Sequence, residues 1–91
     1  MTKSEIIDIL SRKQSHLSGR DVELSVKILL EQMSDTLSSG SRIEIRGFGS
    51  FSLHYRAARR GRNPKTGAVI QIAAKNTVKF KAGADLSSSV N

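Results

Sequence analysis

Apolar residues recur at helical spacing over the first forty positions and at alternate positions after them. Thr2 and Glu5 form a T-x-x-E capping box, and Ile6, Ile7, Ile9 and Leu10 follow, so a short helix is expected over about 3–14. Residues 15–19 read as a turn, and Ser18 with Asp21 supplies a second capping signal. Val22, Val26, Leu29, Leu30, Met33 and Leu37 then mark a second helix, with Leu24 and Ile28 widening its stripe. Ser38-Ser39-Gly40-Ser41 stops it near residue 39. The stripe is broader than one partner helix needs, which suits a dimer core.

Beyond Gly40 the period falls to two. In Arg42-Ile43-Glu44-Ile45-Arg46, the isoleucines face one way and the charged residues the other. Gly47-Phe48-Gly49 is a turn signal. Phe51, Leu53 and Tyr55 alternate with Ser52, His54 and Arg56, and Val78 and Phe80 alternate with Thr77, Lys79 and Lys81. Three strands with one apolar and one polar face each predict an antiparallel sheet, its apolar side on the two helices and its other side flat and basic. Between them, Asn63-Pro64-Lys65-Thr66-Gly67 is a strong turn sequence. Its flanks can pair as a hairpin with no core of its own, which is marginal in water. The segment reads as a mobile basic arm that orders on its ligand. A weak, serine-rich last helix is expected around residues 84–90. The expected class is α+β in a single domain over 1–91. Residues 1–40 form a helical dimerisation part, 41–56 and 74–81 the sheet, 57–73 the arm and 82–91 the C-terminal helix.

Charge sharpens this picture. The 91 residues carry a net charge of +7. Residues 1–41 hold five bases and six acids, residues 42–81 ten bases and one acid, and residues 82–91 a single acid. One 40-residue segment therefore carries the whole excess, as a dedicated polyanion-binding surface requires. The chain contains no cysteine, which excludes disulfides and thiolate metal sites. No apolar run has the length of a membrane helix and the N-terminus lacks a signal-peptide pattern, so a soluble, cytoplasmic chain without a membrane partner is expected. His16 and His54 stand beside no carboxylate pair. No nucleophile triad or phosphate-binding loop is visible, and neither an enzyme, a metal, a cofactor nor a small-molecule substrate is expected. Phe48, Phe51 and Phe80 read as core rather than base-stacking platforms.

Two residues have open readings from the pattern alone. Glu44 is either half of a surface ion pair of small worth or a group that orients Arg46 toward a base edge. Spacing reads Pro64, the only proline, as a turn residue. A basic ribbon can also enter a DNA groove, where an apolar tip residue wedges between base pairs and kinks the duplex.

The motifs Gly47-Phe48-Gly49-Ser50-Phe51 and Gly61-Arg62-Asn63-Pro64-Lys65-Thr66-Gly67 resemble the bacterial HU/integration-host-factor family along nearly the whole chain. The stretch from Arg42 to Arg56 is most like the integration host factor beta-subunit branch of that family. Ala57-Ala58-Arg59-Arg60 and Ile72-Ala73-Ala74 are similar to HU instead. This family is itself among the standard minor-groove benders, so the generalisation about wedges lends it no independent support. The resemblance implies an intertwined dimer whose arms wrap double-stranded DNA in the minor groove, with Pro64 as the intercalating wedge. It implies that Arg59, Arg60, Arg62, Asn63 and Lys65 line the groove or grip phosphates. It implies that Arg46, buttressed by Glu44 and Arg42, biases sequence choice, and that Lys3 and Lys27 clamp flanking DNA. Arg56, Lys75, Lys79 and Lys81 complete the expected DNA-binding set on the sheet. The second subunit would be an integration host factor alpha chain, or a second copy in an HU-like homodimer that compacts DNA with little sequence preference. The place implied is the bacterial nucleoid, and the role assists recombination, replication and transcription control. A small nuclease, or a protein that binds RNA or anionic lipid, is the reading from another class. The missing metal site argues against the former and the double-strand-sized arms against the latter.

Overall fold

In the computed structural model, which describes residues 1–91, the helices form where the caps place them. Helix α1 spans Lys3–Lys13. Thr2 Oγ1 accepts from the Glu5 backbone N–H at 3.2 Å, satisfying one of the first-turn donors that a helix leaves unpaired. Helix α2 spans Gly19–Ser38, and Ser18 Oγ accepts from the Asp21 N–H at 3.1 Å. Its end is set by Gly40, whose φ of +87° is open to glycine and costly for other residues. The Ser41 N–H then reaches the Thr36 carbonyl and the Gly40 N–H the Leu37 carbonyl, a Schellman closure.

The chain divides into two compact units, residues 1–35 and 36–91. In the first, Val22 and Val26 are buried, whereas Leu24, Ile28 and Leu29 on the same helix are at least half exposed. The broad stripe is therefore only partly covered by the chain itself.

The second unit is built from strands β1 (Ile43–Ile45), β2 (Gly49–Arg56), β3 (Arg59–Arg62), β4 (Val69–Ile72) and β5 (Lys75–Ala82), followed by helix α3 (Ala84–Ser89). Strands β1, β2 and β5 form an antiparallel sheet in the order β1-β2-β5, and β3 and β4 form a two-stranded ribbon. The link from β1 to β2 is a turn in which Phe48 N–H donates to the Ile45 carbonyl at 2.9 Å. Gly47 takes the left-handed third position at φ +83°. Across the sheet Phe51 faces Phe80 and Leu53 faces Val78. The Phe80 ring lies 4.7 Å from Phe51 and 5.4 Å from Phe48, centroid to centroid, an aromatic cluster of the kind that stabilises beyond its buried area. The three phenylalanines thus pack on one another. A Cβ at Gly49 would sit 2.5 Å from the Lys81 carbonyl oxygen and 2.6 Å from the Phe80 ring, so the first position of β2 has no room for a side chain.

Candidate nucleic-acid interface

The register places the basic residues in rows. On the polar face of the sheet, Ser50 stands opposite Lys81, Ser52 opposite Lys79, His54 opposite Thr77 and Arg56 opposite Lys75. Glu44 lies across from Ser50 on the other side. Small hydroxyl residues in the middle strand leave the lysines of β5 uncovered. The Arg56–Lys75 pair puts two like charges directly opposite, which is unfavourable in a free sheet.

The pairing between β2 and β5 ends at Arg56 and Lys75. Pairing resumes at Arg59 with Ile72, then Arg60 with Gln71, Gly61 with Ile70 and Arg62 with Val69. In both ladders the two partner numbers add to the same total, so the ribbon continues the sheet's register without a bulge. Only Ala57-Ala58 and Ala73-Ala74 lie outside the strands. Since residues alternate between faces, Arg60, Arg62 and Gln71 share the parity of Arg56 and Lys75. Across the junction the faces do not follow this count: Arg59 and Ile72 line one hollow of about 270 Å³ with Arg56, Lys75 and Thr77, so Arg59 is the ribbon arginine that joins the basic face at the end of the sheet. Arg59 falls on the other parity, with Gly61, Ile70 and Ile72. On that parity Ile70 and Ile72 form an apolar row in β4, which Arg59 and Gly61 in the facing strand obscure. Gly61 is what allows it: a Cβ there would come within 2.8 Å of Ile72 Cδ1. The signal is present in the alternation of Ile70 and Ile72 with Gln71.

At the tip, Asn63 N–H donates to the Ala68 carbonyl at 2.9 Å and Gly67 N–H to the Asn63 carbonyl at 2.7 Å. Gly67 has φ +71°. Arg62 Nη1 reaches back to the Gly67 carbonyl at 3.3 Å. Pro64 stands at the apex of this closed turn and is exposed, as is Lys65.

The first strand is shorter than the alternation suggests. Strand β1 ends at Ile45, and Arg46 occupies the second position of the Ile45–Phe48 turn rather than a strand face, because Gly47 ends the period of two. Glu44 does not pair with Arg46. Its Oε1 lies 4.0 Å from Arg42 Nη2, with both side chains more than half exposed, so the ion pair contributes little. Arg42, Arg46 and Lys81 instead line one shallow basin of about 310 Å³ beside Glu44. Glu44→Ala should therefore leave thermal stability within about 0.5 kcal/mol. It should tighten duplex binding by removing the one carboxylate from a basic face, a change read by fluorescence anisotropy at fixed salt. A loss of affinity would show that Glu44 holds an arginine in place.

Lys3 and Lys27 are exposed residues of the helical unit. The sheet unit collects the remaining expected residues: Arg42, Glu44, Arg46, Arg56, Arg59, Arg60, Arg62, Asn63, Pro64, Lys65, Lys75, Lys79 and Lys81. No group of three or more His, Asp or Glu side chains is placed to hold a metal ion. No helix is long and apolar enough to cross a membrane.

Comparison with known proteins gives a consistent result. The family model described as bacterial DNA-binding protein matches residues 1–91. The integration host factor subunit beta of Thioalkalivibrio sulfidiphilus is 60% identical over 91 residues, covering 100% of this chain and 95% of that one. The subunit beta of Alkalilimnicola ehrlichii is also 60% identical, over 100% and 91% of the two chains. Among solved structures, the Anabaena HU–DNA cocrystal structure superposes with a TM-score of 0.87 at 32% identity, covering 99% of this chain and 97% of that one. HU from Thermotoga maritima gives a TM-score of 0.67 at 27% identity over the whole of both chains.

Proposed function

The chain belongs to the bacterial DNA-binding protein family, and we propose that within it the chain is an architectural protein that bends double-stranded DNA from the minor groove. The observation that carries this reading is the single register joining a basic sheet face to a proline-tipped ribbon. The sheet face neutralises phosphates and releases counterions, which gives affinity without sequence information. A two-stranded ribbon fits the major groove of undeformed B-DNA, so its entry into the minor groove goes together with bending that opens that groove. The ribbon tip carries Pro64, which has no N–H to leave unsatisfied between bases. A kink placed there favours sequences that deform cheaply, so site choice is mostly indirect. Arg42 and Arg46 add a bias from the basin they share with Lys81.

The chain acts as one subunit of a dimer. Leu24, Ile28 and Leu29 along α2 are at least half exposed, as are Val78 and Tyr55 in the sheet unit, and apolar rows of this kind support a partner chain that covers them. The similarity to integration host factor beta subunits supports an alpha chain as the partner, with a nucleoid location and roles in recombination, replication and transcription control. A second copy of this chain is the alternative partner, and native mass measurement of the purified chain separates the two.

The function is tested by competition. A labelled duplex bound to the assembled dimer is challenged with unlabelled duplex, single-stranded DNA and double-stranded RNA at one salt concentration. Duplex DNA should displace the label at the lowest concentration. Equal displacement by RNA would point to non-specific polyanion binding.

A further inference from the structure

Asn63 is expected among the groups that line the groove, but its side-chain oxygen is used inside the tip. Asn63 Oδ1 accepts from the Lys65 backbone N–H at 2.9 Å, an Asx turn that spans Pro64. The backbone of the same residue is held too, its N–H by Ala68 and its carbonyl by Gly67. Thr66 Oγ1 takes the Ala68 N–H at 3.3 Å on the far side of the turn. None of the tip hydrogen bonds ends on Pro64 itself. Its ring fixes its own φ, whereas ψ of Asn63 and of Pro64 decides where the ring points. The bond from residue 63 to residue 65 constrains both.

We propose that Asn63 is the positioning residue of the wedge: its side chain holds Pro64 in the direction in which it inserts, and does not itself read or grip DNA through that oxygen. The proposal rests on the reading of Pro64 as a wedge. An exposed Asx bond in a free loop is easily exchanged for water. Here it sits at the apex of a turn already closed by two backbone bonds, so it selects one ring direction before DNA arrives. Pre-organisation of this kind lowers the ordering cost of binding.

The test uses Asn63→Ala, Asn63→Ser and Asn63→Asp beside Pro64→Ala in the assembled dimer. The probe is a doubly end-labelled duplex of roughly three helical turns, with energy transfer read at saturation and affinity by anisotropy. Serine and aspartate both keep an oxygen that can accept the i+2 N–H. Both lack the amide nitrogen. Asn63→Ala should lose at least half of the transfer that Pro64→Ala loses, with a salt slope no flatter than that of Pro64→Ala. Asn63→Ser should keep most of it. Asn63→Asp should keep the transfer at saturation while binding more weakly, because it adds a negative charge at the tip. Full transfer in Asn63→Ala overturns the proposal. Loss in all three variants overturns it as well, because it assigns the effect to an amide–DNA contact. Full transfer in Pro64→Ala removes the wedge reading and this proposal with it. A loss in Pro64→Ala alone removes only the role of Asn63.

Discussion

Pro64→Ala is expected to separate bending from binding. Energy transfer between the ends of a saturated duplex should fall to well under half of the value for the unaltered protein. The slope of log affinity against log salt should keep the share of the sheet and ribbon cations, about 0.9 for each phosphate they neutralise, and lose at most the share of Lys3 and Lys27, which reach flanking DNA only when it bends. The reason lies in the division of labour along the chain. The basic groups sit on the sheet face and ribbon and act through charge, whereas Pro64 carries none. Alanine at the apex keeps the Asx turn available, since the Lys65 N–H and Asn63 Oδ1 are untouched. It removes the rigid apolar ring. Affinity should fall by less than about tenfold, about 1.4 kcal/mol, the part of the interface that only a bent duplex reaches. Equal losses of bending and of salt-dependent affinity would make Pro64 a turn residue and nothing more.

The second large effect has opposite signs in two measurements. Arg56 and Lys75 face each other at the last pair of the sheet, and no acid compensates them. Replacing both with alanine should raise the thermal stability of the free protein slightly, by about 0.2–1 kcal/mol, through relief of like-charge repulsion. The same double variant should bind duplex DNA at least on the order of 100-fold more weakly, since each of the two deleted charged hydrogen bonds is worth about 1.5 kcal/mol or more. Its salt slope should flatten by about 2 if each side chain neutralises one phosphate. A variant that loses stability and affinity together would show that the pair has a structural partner, and the one-signed face would lose its main support.

The sequence announced most of the fold because local chemistry and long-range pattern agreed. Thr2 and Ser18 cap where a side-chain oxygen three residues upstream meets a free N–H, and Gly40 ends α2 because its backbone turns left-handed. Strand faces were legible from alternation. The position of Arg46 was not, because the alternation carries through to a residue that Gly47 moves into a turn. In the free chain Glu44 lies nearest Arg42, at 4.0 Å, and the Glu44→Ala variant decides whether it also orients Arg46 on DNA. The continuity of register between sheet and ribbon was not legible either. Two alanines on each strand carry no pattern, and only the pairing of Arg56 with Lys75 and Arg59 with Ile72 shows that the register carries on. The apolar row of β4 is hidden in the sequence because Gly61, its permissive partner, looks like a loop residue in a run of arginines. At the tip, an asparagine beside a proline in a basic segment invites a reading as a ligand contact. The hydrogen bond to Lys65 shows its oxygen already taken.

The central claim is that this chain shapes DNA rather than merely adhering to it. The direct measurement is a titration of a doubly end-labelled duplex of roughly three to four helical turns with the chain alone and with an alpha subunit added, at one fixed salt concentration. The account predicts a saturable rise in energy transfer in at least one of the two assemblies. Saturable binding with no rise in either would contradict it.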